Sequence, residues 1–188
     1  SKHTGASSQV VGYRIDKLLQ SGVLKGCIAT VDISRLGFLA FRFYARIHNN
    51  FRDRESEVIR SLVKHPHTLW VVSASGPWDL EAVFVARNPI HFNNMLKEWR
   101  SAWGKTLSSI NISMSPVSYR LRRDYLIGRR RSSFKATHFG FEPRQAELDE
   151  LDSRILGHVA LNCRQSNEAI GRQVNVSYHT VGSRLDTL

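Results

Sequence analysis

"SYHTVGSRLDTL", Ser177–Leu188, restates "SSQVVGYRIDKL", Ser7–Leu18, at a constant offset of 170 positions. Ser, Val, Gly, Arg, Asp and Leu recur in register, and Leu185 stands opposite Ile15. An internal repeat fixes the architecture before any other feature is weighed. Around the later copy the pattern is helical. From Leu148, the apolar residues Leu151, Ile155, Leu156 and Val159 recur at helical spacing, predicting one amphipathic helix to about Cys163. "SNEAIGRQV" predicts a second helix, with Ser166 as N-cap, Glu168 in the first turn and Ala169, Ile170 and Val174 inward. "NVS" then makes a tight turn. Ser177 caps a third helix with Val181, Leu185 and Leu188 as its buried stripe. Three short helices with a three-residue turn before the last make the helix-turn-helix layout.

In that layout the last helix enters the major groove of DNA and its first exposed residues meet base edges. Ser177, Tyr178, His179 and Ser183 take that place in the later copy, and Ser7, Ser8, Gln9 and Tyr13 in the earlier one. Gln9 can pair with adenine through its amide, while His179 and Ser183 can donate or accept. Arg14 and Arg184, one residue further on, suit a phosphate or an intramolecular carboxylate. Gly12 and Gly182 each cost a helix about 0.8–1 kcal/mol relative to Ala. A close approach to something flat would justify them.

Between the copies the periodicity changes. Cys27, Ala29 and Val31 alternate with Ile28 and Thr30, predicting a short strand. Phe38–His48 predicts a longer one, with Phe41, Phe43, Ala45 and Ile47 on one face. Residues 53–65 predict a helix with Val58, Ile59, Leu62 and Val63 inward. "HTLWVVSAS" and "WDLEAVFVAR" form a hairpin about Gly76-Pro77. Phe92, Met95, Leu96, Trp99 and Trp103 mark a second helix, and "SSINISMS" a final strand. The order β-α-β-β-α-β is the ferredoxin-like split unit, a four-stranded antiparallel sheet with both helices on one face. The fold class is therefore α+β, with helix-turn-helix segments, winged-helix-like, flanking a ferredoxin-like domain. The other face is expected to carry apolar groups buried against a second copy in a two-fold dimer. A dimer also sets two reading helices about one turn of DNA apart.

Charge points to the partner. The chain of 188 residues carries a net +11, and 41% hydrophobic content is enough for packed cores. The excess is +3 over 1–37, +4 over 38–116 and +5 over 117–147, against −1 over 148–188. These segments are the expected domains: the C-terminal part of a first helix-turn-helix, the βαββαβ unit, a basic linker and a second helix-turn-helix. A basic excess favours a polyanion. Between Tyr119 and Lys135 the linker holds Arg120, Arg122, Arg123, Arg129, Arg130, Arg131 and Lys135 against Asp124 alone, suiting a backbone-tracking arm. Neutralising six phosphates gives a log-log salt slope of about −5. No apolar run reaches the roughly 18 residues of a membrane span, so no membrane partner is expected. Cys27 and Cys163 fit small, buried, reduced thiols of a cytoplasmic protein.

The segments Ser7–Gly37, Gly76–Asp79 ("GPWD") and Leu148–Leu188, opening "LDELDSRIL", resemble the Lrp/AsnC family, the leucine-responsive or feast/famine transcriptional regulators. The resemblance implies a DNA-binding domain joined to a ligand-sensing domain that dimerises and often assembles further. It also implies a small effector, commonly an amino acid, near the hairpin of Gly76, Trp78 and Asp79. There Asp79 would take the ligand's amino group and the Gly76 backbone would approach its carboxylate. The order of parts departs from the family's usual single pair of domains. It is expected of a piece of a tandem-duplicated member, spanning about one repeat unit.

Two other readings compete. Siroheme decarboxylases resemble the same regulators and carry histidine and arginine near the second strand. Here "HPHTLWVV" supplies His65 and His67 without an arginine in the strand. His-x-His lacks a Cys pair or acidic third ligand at useful spacing, and there is no nucleophile elbow, phosphate loop or H-E-x-x-H, so neither metal, cofactor nor enzyme is expected. A protein-interaction adaptor is the third class, favoured for the second copy by its −1 charge.

Overall fold

The computed structural model describes residues 5–120, 137–140 and 146–188. The chain falls into two compact units, one made of 1–31 with 147–188 and one of 32–146.

In the second unit the strands are β1 (Leu39–Ile47), β2 (Thr68–Ser73), β3 (Leu80–Ala86) and β4 (Leu107–Ser115). They form one antiparallel sheet in the order β2-β3-β1-β4. With α2 (Glu55–Lys64) and α3 (Pro89–Trp103) this is the ferredoxin-like unit expected from the alternation. Strand residues alternate between faces. Phe41, Phe43, Ala45 and Ile47 of β1 and Leu80, Ala82, Phe84 and Ala86 of β3 share the buried face. Val58 and Leu62 of α2 and Phe92, Met95, Leu96 and Trp99 of α3 join them. Phe41 stacks on Phe92 at 4.3 Å, and Trp99 Nε1–H donates to Ser61 Oγ, so its one polar atom is satisfied. Val63 departs from the expected stripe and is 64% exposed.

The opposite face carries apolar groups such as Trp70, Val72 and Val83 around a polar centre. Its centre holds Arg42, whose Nη1 donates to Glu81 Oε1 at 2.6 Å and whose Nε donates to Ser115 Oγ at 3.1 Å. Burial lowers the Arg42 pKa, but Glu81 and Tyr44 together outweigh it, and the net direction is upward. Exposed apolar groups on this face are Trp70 and Val72 of the edge strand β2. Ile112 and Met114 are exposed too, but their pairing with Phe43 and Phe41 puts them on the helix side of β4. After β4 come β5 (Val117–Arg120) and β6 (Thr137–Gly140), a two-stranded antiparallel ribbon. Gly140 N–H donates to Asp32 Oδ1, tying the ribbon to the turn at Ile33–Leu36. Of the basic linker, Arg120 lies in the ribbon with its guanidinium 5.7 Å from the Phe139 ring. Arg122, Arg123, Arg129, Arg130, Arg131 and Lys135 lie outside the described residues.

The first unit contains α1 (Ser8–Gln20), α4 (Glu150–Leu161), α5 (Asn167–Val174) and α6 (Tyr178–Thr187). Ile155, Ile170, Val174 and Val181 are its buried core, flanked by Leu151, Val159, Val176 and Leu185. Leu188, expected inward, is 38% exposed. The segment Cys27–Val31 keeps its alternation, with Cys27, Ala29 and Val31 half-buried and Ile28 and Thr30 exposed. Among the described residues it pairs with no strand, so the predicted short strand is not formed as a ladder there.

Candidate nucleic-acid interface

The second copy is a formed helix-turn-helix. Its turn follows from three residues. Asn175 ends α5 at φ 62°, the left-handed conformation that asparagine tolerates better than most side chains. Val176 N–H returns to Gly171 C=O at 2.9 Å. Gly171 is required there, because a Cβ would sit 2.6 Å from Val176 O. Ser177 then caps α6, its Oγ accepting from Thr180 N–H at 3.1 Å.

That arrangement projects Tyr178, His179 and Ser183 outward. All three are exposed, and the Tyr178 and His179 rings lie 3.9 Å apart by centroid. A Cβ on Gly182 would come within 3.2 Å of Asn167 Nδ2, a tight approach to the end of a side chain. Arg184 resolves its two options toward the intramolecular carboxylate. Its Nη1 donates to Asp149 Oδ2 at 2.6 Å and to Asp152 Oδ1 at 3.0 Å. The two acids are also a capping box at the start of α4, where Asp149 accepts from Asp152 N–H and Asp152 from Asp149 N–H. The hydrogen bond from Asp152 N–H, then the Arg184 guanidinium, holds the Asp149 carboxyl below its ordinary value. The acids were missed as site-shaping residues, although the D-x-x-D of "LDELD" is a helix-start signal legible in the sequence.

The first copy supplies α1, capped alike by Ser7, whose Oγ accepts from Val10 N–H at 3.3 Å. Ser8, Gln9, Tyr13 and Arg14 are exposed. Val11 and Ile15 are half-buried and no residue of α1 is fully buried. A Cβ on Gly12 would meet nothing within 4 Å.

At the hairpin, Gly76 adopts φ 140°, with open space where a Cβ would stand. Trp78 is half-buried beside Tyr44, ring centroids 6.1 Å apart. Asp79 is nearly buried and both its oxygens are engaged: Oδ2 accepts from Ile47 N–H at 2.7 Å, and Oδ1 pairs with Arg52 at 2.9 Å. Burial pushes this carboxyl up, but the Ile47 bond and Arg52 outweigh it and the net direction is downward. A ligand ammonium would therefore have to displace Arg52.

The histidines near β2 gather without forming a ligand set. His67 lies 5.9 Å from His65 and 5.0 Å from His91 by ring centroid. The Nδ1 of His65 accepts from His67 N–H, and that of His91 from Arg87 N–H. Among the described residues no group of three or more His, Cys, Asp or Glu side chains is placed to hold a metal ion. Among them, too, no helix is long and apolar enough to cross a membrane.

A three-helix domain with a left-handed asparagine in its turn, in one chain with a ferredoxin-like sheet, defines a class of DNA-binding architecture. Residues 148–188 match the family model of the AsnC-type helix-turn-helix domain. In this domain the chain is similar to the Lrp/AsnC regulators, in line with its sequence resemblance. It is 31% identical over 96 residues to the HTH-type transcriptional regulator FL11 of Pyrococcus horikoshii, covering 51% of this chain and 62% of that protein. The regulator of the same name in Pyrococcus furiosus matches to the same extent. The chain thus spans about three fifths of the length of these relatives. In fold it is similar to an AsnC family transcriptional regulator from Agrobacterium tumefaciens, with TM-score 0.54 and 17% identity over 66% of this chain and 84% of that one. AsnC of E. coli aligns with TM-score 0.50 and 14% identity over 61% and 75% of the two chains.

Proposed function

We propose that the protein is a sequence-specific DNA-binding transcriptional regulator, working in the cytoplasm and dimerising through its βαββαβ domain. The observation that carries this reading is α6: a buried apolar stripe on one side and an exposed Tyr178-His179-Ser183 edge on the other, within an AsnC-type domain. Gln9 and Tyr13 on α1, with Arg14 for a phosphate, give the earlier copy the same kind of edge, in a segment of +3 charge. Mobility shift of duplex DNA at two salt concentrations tests it. Binding that falls steeply with salt is expected, and no shift at either concentration would overturn it.

A small effector such as an amino acid binds, in this reading, at the hairpin of Gly76, Trp78 and Asp79. The open Gly76 backbone and the half-buried Trp78 support it. With Asp79 engaged by Arg52, the ammonium of the ligand competes for Oδ1. Quenching or enhancement of Trp78 fluorescence across an amino-acid panel, lost in Trp78→Phe, is the expected result.

The −1 charge over 148–188 favours a second reading for the later copy alone, as a protein-contact module while α1 reads DNA. Tyr178→Ala with His179→Ala separates the two: unchanged DNA affinity would assign the later copy to protein.

A further inference from the structure

We propose that Cys27 and Cys163 form a reversible disulfide, a thiol lock that fastens the segment after α1 to the loop between α4 and α5. The two cysteines stand 136 positions apart in sequence, yet the first unit brings their backbones together. Cys163 N–H donates to Cys27 C=O at 2.9 Å. That bond sets the two cysteine backbones in direct contact, the kind of approach a disulfide requires, since it spans Cα separations of about 4.4–6.8 Å. A second contact ties the same loop to α1 itself: Arg164, next to Cys163, pairs with Asp16 of α1 at 2.9 Å. Both thiols are free, and they differ in access, Cys163 being exposed and Cys27 half-buried.

That difference assigns their roles. The exposed Cys163 thiolate attacks hydrogen peroxide; an S–O bond forms, the O–O bond breaks, and the departing hydroxide takes a proton to leave as water. The Cys27 thiolate then attacks the Cys163 sulfenic sulfur. The S–S bond forms as the S–O bond breaks, releasing a second water. Two thiols lose two electrons in all, and one peroxide is reduced to two waters. A small dithiol reverses the bridge by exchange. Cysteine usage alone suggests two unrelated buried thiols, whereas the fold makes them neighbours, one of them accessible.

The test is peptide mapping of the full chain, alkylated and digested without reductant after exposure to hydrogen peroxide. The expected product is one linked Cys27–Cys163 peptide, lighter by two hydrogens than its two parts, formed within monomers and abolished by dithiothreitol. Cys27→Ser should instead leave a Cys163 sulfenic acid that dimedone captures. Bridges found between chains only, or both cysteines recovered separately, would overturn the proposal. Because the decisive readout is made on the unmodified sequence, a variant that fails to fold does not affect it. No DNA enters the measurement, so its outcome is independent of the regulator reading.

Discussion

The two repeat copies carry nearly the same helix into different surroundings. α1 and α6 are both capped by a serine hydroxyl, at Ser7 and Ser177. There the likeness ends. Val181 is fully buried by α4 and α5, while its counterpart Val11 is half-buried and α1 has no fully buried residue. Arg184 is clasped by Asp149 and Asp152, whereas the matching Arg14 is exposed and makes no ion pair among the described residues. Cap and periodicity are local properties and set the helix. Burial and the job of the arginine depend on partner helices.

The largest way to sharpen that contrast is to cut into each stripe. Ile170→Ala opens a cavity in the three-helix core and should cost about 2–5 kcal/mol. Val11→Ala, at a site already half open, should cost within about 0.5 kcal/mol. Chemical denaturation followed by circular dichroism reads both, and equal losses would break the contrast. The glycines come next. Gly171→Ala drives a Cβ to 2.6 Å from Val176 O, and the required backbone shift should cost about 1–3 kcal/mol. Gly12→Ala meets nothing within 4 Å and should stabilise α1 by about 0.8–1 kcal/mol through helix propensity. Opposite signs in one thermal-melt series are the expected outcome.

Much of this was legible because it is periodic. The i, i+3, i+4, i+7 spacing of Phe92, Met95, Leu96 and Trp99 and the alternation of Phe41, Phe43, Ala45 and Ile47 each bury the residues they point to. Caps were legible at Ser166 and Ser177 because a hydroxyl before an apolar helix has one favoured use. What escaped was pairing across distance. Nothing local in "RLD" says that Arg184 meets acids 32 and 35 positions earlier, nor in "NCRQ" that Cys163 meets Cys27. Asp79 likewise follows a turn, and nothing beside it in sequence says that the hairpin aims it back at Ile47 N–H and Arg52. The outer sheet face shows the same limit. Alternation says which residues share a side, but not that Arg42 and Glu81 satisfy one another there.

A smaller effect distinguishes the arginines by function. Arg184→Ala unfastens α6 from the start of α4 and should lower the melting temperature. Arg14→Ala should leave melting unchanged but, on the regulator reading, weaken DNA binding and reduce the salt slope by about one. A melting loss at Arg14 matching that at Arg184 would show that α1 finds a clasp of its own.

The smallest effect is one of pH, and it too belongs to the later copy alone. Asp149 is held below its ordinary value of 3.8, first by Asp152 N–H and then by Arg184. A carboxyl with a depressed folded pKa adds stability that is complete above its unfolded pKa and is lost as pH falls through the folded one. The helix-turn-helix should therefore lose melting temperature on the acid side, from about pH 4 downward. Asp149→Asn keeps an oxygen for the Asp152 N–H but removes the charge facing Arg184, so its acid slope should be shallower than that of the unaltered chain. Since α1 carries its arginine without such a pair, Arg14→Ala should leave the slope as it was. If Asp149→Asn also leaves it unchanged, the clasp contributes geometry without charge, and the two arginines differ less than their surroundings suggest.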